Sequence, residues 1–288
     1  MKIGAIYPQT ELNGDPGALS AIGPAMEELG YDYLLMYDHV AGAVREDRKQ
    51  PLLGPYSDLD PFHDPLVAFA YLAGITRHIE LATGVLVLPQ RQTLLVARQA
   101  ADVDLVSGGR LRLGVAAGWN QVEFEALGKD FSTRGKSLTE QIPYLRRLWS
   151  EAPLSFQGDF HVADRIALNP RPRRQIPIYC GGGSTPAYRR AAKLADGFIF
   201  SGAFEERILP GWKELQHYLG EEKRPASDFG AEYLTPDGSS IEQIVDLVSR
   251  WRDAGGSHIG VRSMGRGFTD VRQHTDFFGE VMQHLAVG

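Results

Sequence analysis

The hydrophobic residues of this chain fall into short continuous runs, separated by longer segments in which apolar positions recur at a helical spacing. Eight runs predict strands, at residues 2–7, 31–37, 79–88, 110–117, 176–180, 197–201, 229–234 and 258–263. Most of the runs are continuous rather than alternating, which is typical of strands that are covered on both faces. The pattern therefore indicates a parallel sheet enclosed by helices.

The segments between the runs have the signals of helices. GALSAIGPAMEELG ends at Gly30, a residue suited to a helix C-terminus, and TLLVARQAADVDLVSGG stops at two glycines. In SSIEQIVDLVSRWRDAGG, Ser239 and Glu242 have the spacing of a capping box. Strand and helix alternate along the whole chain, so the sequence predicts an α/β fold, a (β/α)8 TIM barrel in one domain over residues 1–288, with an open doubly wound sheet as the alternative.

Two long connections interrupt this alternation. Residues 40–64 follow the second strand, so in a barrel they lie at the C-terminal face, and we expect them to form a lid. Residues 150–175 precede a strand, and their Arg171, Arg173 and Arg174 are expected at the opposite end as a solvated surface.

Composition and charge exclude several classes of protein. Of the 288 residues 43% are hydrophobic, and the formal net charge is −6, which leaves no basic surface for nucleic acid. The single cysteine, Cys180, rules out an intrachain disulfide and a cysteine-based zinc site, and at the end of a strand it is expected to be a core residue. The N-terminal apolar run is too short for a signal peptide, and no run reaches the ~20 residues of a membrane span. We therefore expect a cytoplasmic protein without a membrane partner.

The C-terminal ends of barrel strands, where TIM-barrel chemistry is located, contain few reactive side chains here. No lysine stands at a predicted strand end, which argues against a Schiff-base enzyme. Asp38 is the one carboxylate, which argues against an enolase-type metal site, and we predict no metal. A site so poor in reactive groups suggests that a cofactor supplies the chemistry.

The segment CGGGSTPAYRRAAKLADG, residues 180–197, is the strongest local signal. Gly181, Gly182, Gly183 and Ser184 place open backbone and a hydroxyl at the start of a predicted helix, where the dipole favours a phosphate. The segment is neither a P-loop nor a dinucleotide fingerprint. The alternative is a tight strand-to-helix turn without a ligand.

Several segments together resemble a known family. TGVLVLPQR, LVARQAADVDLVSGGRLRLGVAAGW, EFEALGKDF, RGKSLTEQI, LRRLW and GGGSTPAYRRAAKLADGF are similar to segments of the luciferase-like flavin-dependent oxidoreductases, and within them to the branch that uses the deazaflavin coenzyme F-420. The resemblance is dense over residues 76–202 and thin after residue 203. It implies a (β/α)8 barrel with the cofactor ring at the C-terminal mouth and, as is common in the family, a homodimer.

The resemblance also assigns site residues. It implies a non-prolyl cis peptide at Gly84–Val85 in a bulge of the third strand that backs the ring, the alternative being an ordinary β-bulge. His39 corresponds to a residue that faces the ring and is a candidate for proton transfer, with a buried structural histidine as the alternative. The remaining predicted cofactor contacts are Asp38, Thr83, Gly118 and the four residues Gly181–Ser184.

Position 119 departs from the sugar-phosphate dehydrogenases of this family, which have an acidic glutamate where this chain has Trp119. A tryptophan there predicts a flatter and more apolar substrate pocket, or simple packing under the lid. Glu123 and Glu125 are expected to support a helix rather than react. Three arginines are candidates for the anionic tail of the coenzyme, or for solvated helix faces: Arg91, Arg189 and Arg190.

The sequence thus predicts an oxidoreductase that moves a hydride between F-420 and a small organic substrate, with His39 and Trp119 facing that substrate. The nearest alternative keeps the fold and uses reduced FMN and oxygen as a monooxygenase. A further alternative is a flavin-binding carrier or silent subunit that does not turn over.

Overall fold

A computed structural model describes residues 1–49 and 51–287 of the chain. Its strands are β1 (Lys2–Ile6), β2 (Tyr33–Met36), β3 (Glu80–Thr83), β4 (Leu86–Val87), β5 (Leu111–Ala116), β6 (Leu154–Gln157), β7 (Val162–Ile166), β8 (Ile178–Gly181), β9 (Gly197–Ser201), β10 (Gly230–Leu234) and β11 (His258–Val261). Nine of them form one parallel sheet in the order β3-β2-β1-β11-β10-β9-β8-β5-β4, and β3 also pairs with β5. The sheet therefore closes into a barrel of eight positions, one of which is shared by β3 and β4, and the predicted (β/α)8 fold is confirmed.

Helices follow the strands and cover the outside of the barrel. They are α1 (Pro16–Glu28), α2 (Pro65–Ile75), α3 (Thr93–Val106), α4 (Gln121–Ala126), α5 (Arg134–Ser150), α6 (Thr185–Leu194), α7 (Leu209–Glu221), α8 (Ile241–Asp253) and α9 (Val271–Val287). In the described ranges, none of these helices is both long enough and apolar enough to span a bilayer.

Local sequence accounts for where several helices begin. α2 begins with a proline at its first position, and Asp64 before it accepts hydrogen bonds from the backbone N–H groups of Leu66 and Val67. The capping box of α8 is present one residue later than predicted, between Ser240 and Gln243. The reason is that the hydroxyl of Ser239 instead donates to the carbonyl of Pro236 in the preceding turn.

The central strands of the barrel are buried on both faces, as their continuous apolar runs predict. Every residue of β2, β5, β8 and β11 is buried. One apolar cluster lies inside the barrel and includes Ile6, Leu35, Ala82, Ile199 and Leu234. A larger cluster packs between the sheet and the helices. This double layer fixes the barrel and leaves its two ends as the places for polar chemistry.

Charged groups fill the N-terminal end of the barrel. Arg112 of β5 is buried and forms ion pairs with Glu80 of β3 and Glu232 of β10. Its guanidinium lies 4.6 Å from the ring centroids of both Tyr33 and Tyr179. This plug closes one end of the barrel, so the open cavity lies at the C-terminal mouth.

The connection 150–175 differs from the prediction, because it contains the antiparallel hairpin β6–β7 rather than a bare loop. The sequence gives a weak signal here, since the hairpin lies outside the barrel and Val162 is 70% exposed. The arginines of this connection are exposed as expected, and Arg174 also pairs with Asp104.

Candidate active site

A cavity of about 980 Å³ occupies the C-terminal mouth of the barrel. All but one of the residues predicted as catalytic or cofactor-binding line it: Asp38, His39, Gly84, Val85, Gly118, Trp119, Gly181, Gly182, Gly183 and Ser184. The sequence therefore located the residues of the barrel mouth.

Thr83 is the exception, because it is absent from the cavity lining. The side chain is fully buried, and its hydroxyl donates to the carbonyl of Gly114 in the neighbouring strand at 2.7 Å. Its neighbour Ala82 belongs to the apolar cluster inside the barrel, so strand alternation turns the Thr83 side chain to the outer face of the sheet.

Gly84 separates β3 from β4, and the Gly84–Val85 peptide bond is cis, as predicted. The amide of Gly84 donates to the carbonyl of Met36 at 2.8 Å. A Cβ atom at position 84 would lie 2.4 Å from a methyl group of Leu35, so a side chain fits there only if Leu35 or the backbone shifts. Val85, the next residue, lines the cavity.

Open backbone also characterises the segment between β8 and α6. A Cβ at Gly181 would lie 2.8 Å from Val85, and Gly182 has a φ of +138°, which favours glycine. Ser184 is the N-cap of α6, but its side chain forms no capping bond. Gly182, Gly183 and Ser184 are exposed. An uncapped helix N-terminus with accessible glycines suits an oxyanion such as a phosphate.

Basic side chains line the cavity on the same side. They are Arg134, Lys136, Arg189, Arg190 and Lys193. Arg190 donates to the hydroxyl of Thr139 and to the carbonyl of Gly135, neither of which is charged. Arg189 pairs with Glu221 at 3.4 Å, and within the described residues it is the one member of this group with a carboxylate partner. The other four members therefore present positive charge that no carboxylate of the described residues neutralises.

Arg91 does not belong to this group, which corrects its candidate role at the coenzyme tail. It forms ion pairs with Asp38 and Asp64, and it is absent from the cavity lining. Asp38 also accepts the amide of Val87 at 2.9 Å. Burial raises the pKa of Asp38 although Arg91 lies beside it. Asp38 lines the cavity, but its oxygens connect the end of β2 to β4.

His39 is held by a residue that sequence reasoning assigned to helix support. Its Nδ1 lies 3.0 Å from Oε2 of Glu123, and both side chains are buried. Glu123 also accepts the amides of Val40 and Ala41 and the side-chain amide of Gln90. Burial alone raises the pKa of Glu123, but hydrogen bonds from His39, Gln90 and Ala41 hold it below its usual value. All of these partners donate hydrogen bonds, so Glu123 is an ionised carboxylate that accepts a hydrogen bond from Nδ1–H of His39. The other ring nitrogen of His39, Nε2, is then available for other partners.

The position of Glu123 explains why sequence reasoning did not find this contact. Glu123 stands three residues after the N-cap Asn120 of α4, where a glutamate commonly bonds back to its own helix. Here it turns away to the end of β2 instead. Glu125 has the predicted supporting role, since it is exposed and accepts from Gln121 at 2.7 Å.

Aromatic rings form one wall of the cavity. The ring of His39 lies 5.5 Å from Trp119, 5.2 Å from Tyr56 and 4.9 Å from Phe62, in edge-to-face arrangements. Tyr56 and Phe62 belong to the connection 40–64, and a Cβ at Gly54 of the same connection would lie 2.4 Å from the Trp119 ring. Described residues of the predicted lid thus pack directly on the site residues, while Gln50 lies outside the described residues.

Cys180 is a core residue, as predicted. It is fully buried in β8, and burial raises the pKa of its thiol to about 12. A thiol that stays protonated is not a nucleophile.

Arg262 follows β11 and lines the cavity without having been predicted as a site residue. Its Nε donates to the hydroxyl of Tyr37 at 2.7 Å, and its Nη2 donates to the hydroxyl of Ser201 at 3.0 Å. In the sequence, the one indication that Arg262 belongs to the site is its position at a strand end, where TIM-barrel active sites are located.

Known proteins resemble this chain in sequence and in fold. It matches the family described as luciferase-like monooxygenases over residues 4–227. An uncharacterized protein of Mycobacterium tuberculosis is 31% identical over 241 residues, which cover 81% of each chain. The FMNH2-dependent dimethylsulfone monooxygenase of Pseudomonas fluorescens is 32% identical over 151 residues, which are 51% of this chain and 41% of that enzyme. Among solved structures, an F-420-dependent secondary alcohol dehydrogenase in complex with an F-420-acetone adduct shares the fold, with a TM-score of 0.78 at 17% identity. The superposition covers 99% of this chain and 98% of the dehydrogenase.

Proposed function

This chain belongs to the luciferase-like monooxygenase family, and we propose that it is an oxidoreductase that transfers a hydride between coenzyme F-420 and a small organic substrate. Names of related proteins include both F-420-dependent and FMN-dependent enzymes, and it is the cavity of this chain that favours one of the two cofactors.

The charge around the phosphate-binding segment is the observation that favours F-420. FMN ends in a single phosphate, whereas the phosphate of F-420 continues into a tail with further acidic groups. Arg134, Lys136, Arg190 and Lys193 line the cavity, and no carboxylate of the described residues pairs with them. Such a surplus of positive charge suits an extended anionic tail better than a single phosphate.

The backbone beside these cations fits the phosphate itself. Gly182, Gly183 and Ser184 are exposed at the start of α6, and the Ser184 hydroxyl is not used as a cap. We expect the phosphate to accept hydrogen bonds from this segment. Arg207 lies close by, since a Cβ at Gly183 would be 3.0 Å from its Nη2.

Small and apolar residues would hold the ring. Gly84, Val85, Val87, Ala116 and Ala117 line the same cavity as the phosphate segment and His39. When bound, the deazaflavin ring supplies the centre that gives or accepts the hydride. These residues leave room for a flat group, and together with Tyr56 of the lid they exclude water from it.

His39 is the residue to which we assign the proton. Glu123 fixes the Nδ1 side of its ring, so Nε2 is the nitrogen that donates or accepts a proton at the substrate. Glu123 is a positioning residue that acts through His39. Trp119, 5.5 Å from His39, limits the substrate to a flat shape on this side.

Reduced FMN with oxygen is the second candidate, and the name of the dimethylsulfone monooxygenase favours it. In that case the protein is a monooxygenase, and its turnover requires oxygen.

We also propose a homodimer formed through α2 and α3. α2 contains no charged residue, and its outward face exposes Val67, Tyr71 and Ile75. α3, which packs against α2, exposes Leu94 and Leu95. A face with these five exposed apolar side chains is more typical of a protein interface than of a solvated helix surface. With a single cysteine in the sequence, the composition suits a reducing compartment, and we propose a cytoplasmic location.

Turnover without oxygen tests the proposed reaction. Reduced F-420 is mixed anaerobically with the protein and a panel of aldehydes, ketones and unsaturated carbonyl compounds, and the absorbance of oxidised F-420 is followed. We expect oxidation of F-420 with at least one substrate at an unchanged rate when oxygen is absent. Turnover that occurs only with reduced FMN and oxygen would establish the monooxygenase instead.

A further inference from the structure

Arg262 is a cavity residue that is held in one orientation. Its Nε and Nη2 donate to the hydroxyls of Tyr37 and Ser201, and its side chain is 14% exposed. Tyr37 and Ser201 also line the cavity. The guanidinium plane is therefore fixed before any ligand binds.

The charge of Arg262 lacks a close counterion. Within the described residues, the carboxylate that approaches it is Asp237, at 3.8 Å from Nε, and that carboxylate is 57% exposed. No hydrogen bond from Nη1 to a described residue is formed. A nearly buried cation is costly without an anion, and a ligand oxygen at Nη1 removes part of that cost.

The wall next to Arg262 is aromatic. Its guanidinium carbon lies 5.8 Å from the Tyr37 ring centroid, and Tyr37 is followed at 6.3 Å by Tyr56. Tyr56 in turn contacts His39, which contacts Trp119. The wall thus runs from the fixed cation to the residue that we assign to proton transfer.

From this arrangement we propose that the substrate is a flat, largely apolar carboxylic acid whose carboxylate binds the Nη1 edge of Arg262 while its ring system lies along Tyr37, Tyr56 and Trp119. This proposal rests on the proposed function, because it names the substrate class of that same cavity. It places the reacting end of the substrate near His39 and the acidic end near Arg262.

A carbonyl oxygen of the cofactor ring is a second source of an acceptor for the Nη1 group, although it carries no negative charge. The affinity that depends on Arg262 distinguishes the two sources: it is the affinity for the acid in one case and the affinity for the cofactor in the other. If the substrate supplies the oxygen, removing the guanidinium weakens binding of the acid and leaves cofactor affinity in place.

The test is isothermal titration calorimetry of the full chain with 2-naphthoate and with its uncharged counterpart 2-naphthamide. Each titration is carried out once without added cofactor and once with saturating F-420. We expect the acid to bind at least about tenfold more tightly than the amide. The variant R262Q is expected to lose this preference and to keep its affinity for F-420. R189Q, which removes a cavity arginine on the phosphate side, is the matched control and is expected to keep the preference.

Equal binding of acid and amide by the wild type would overturn the proposal. So would a preference that survives in R262Q or disappears in R189Q, or an R262Q variant whose only loss is F-420 affinity. If R262Q does not fold, R262K is used, with a reduced but measurable preference expected, and the wild type and R189Q remain decisive. The arm without cofactor separates this result from the proposed function, since it is measured even if F-420 does not bind.

Discussion

Nδ1 of His39 and Oε2 of Glu123 lie 3.0 Å apart, although the two residues are separated by 84 positions in the chain. The pair connects the end of β2 to α4 across the mouth of the barrel. A buried carboxylate with donors on every side orients the imidazole and leaves its Nε2 for other partners. The roles of the two residues in the proposed reaction can be separated by mutation.

Replacing Glu123 by glutamine tests its role as a positioning residue. Gln retains an oxygen that accepts the amides of Val40 and Ala41, but it removes the negative charge beside His39. We expect kcat for hydride transfer to fall roughly tenfold or more, with the Kd for F-420 unchanged. The control is E125Q, at an exposed glutamate on the same helix, which is expected to keep the wild-type kcat. Equal kcat values for E123Q and the wild type would remove the positioning role.

Gly84→Ala tests the close approach under the cavity. The added methyl group would lie 2.4 Å from Leu35, so either the bulge or the core of the barrel has to shift. We expect a loss of about 1–3 kcal/mol in the free energy of unfolding, together with weaker F-420 binding. G220A in α7 is the control, because no atom lies within 4 Å of the added Cβ. A G84A variant as stable as the wild type would show that the space is not constrained.

Two buried histidines predict how stability depends on pH. Burial lowers the pKa of His274 to about 4 and that of His258 to about 3, so both stay neutral in the folded protein while they protonate in the unfolded chain near pH 6.5. The contribution of the two neutral histidines to the free energy of unfolding is complete above pH 6.5 and is lost as the pH falls below it. Between pH 7 and pH 5 each histidine should remove roughly 2 kcal/mol from the free energy of unfolding.

Urea unfolding at the two pH values measures this loss. H274Q should reduce the difference between pH 7 and pH 5, because it removes one of the two groups. H217Q, at a histidine whose side chain is 68% exposed, should leave the difference unchanged. A wild-type protein that is equally stable at both pH values would contradict the prediction.

Tyr71→Glu tests the proposed dimer. The substitution places a charge in the middle of the exposed face of α2, and a buried unpaired charge opposes association. We expect light scattering to give the mass of a dimer for the wild type and that of a monomer for Y71E. V162E changes a more exposed apolar residue on the hairpin β6–β7 and should not change the mass. A monomeric wild type would refute the dimer.

The sequence predicted those parts of the site that depend on local pattern. Gly84 and the segment Gly181–Ser184 were found because a glycine within a strand, or at the start of a helix, marks a close approach of the backbone. The side chain of Thr83 does not reach the cavity, and its direction was not predictable because it depends on the strand pleat on either side of the interruption at Gly84. The barrel followed from the alternation of apolar runs with helical segments.

Contacts between distant elements were not predictable in the same way. The partnership of His39 with Glu123 and that of Arg262 with Tyr37 join residues far apart in the chain, and each residue has an ordinary local explanation. The hairpin β6–β7 escaped prediction because its two short strands pair outside the barrel and are only partly buried. Arg91 was a candidate for the coenzyme tail, but it forms ion pairs with the carboxylates of Asp38 and Asp64.

The most direct measurement of the central claim is a titration of the protein with F-420 and with FMN, followed by ring fluorescence, in the wild type and in the double variant K136Q/K193Q. Lys136 and Lys193 line the cavity without an ion pair in the described part of the chain. We expect the wild type to prefer F-420, and the double variant to lose roughly tenfold or more in affinity for F-420 while its affinity for FMN changes less. Tighter binding of FMN, or binding of neither cofactor, would contradict the assignment.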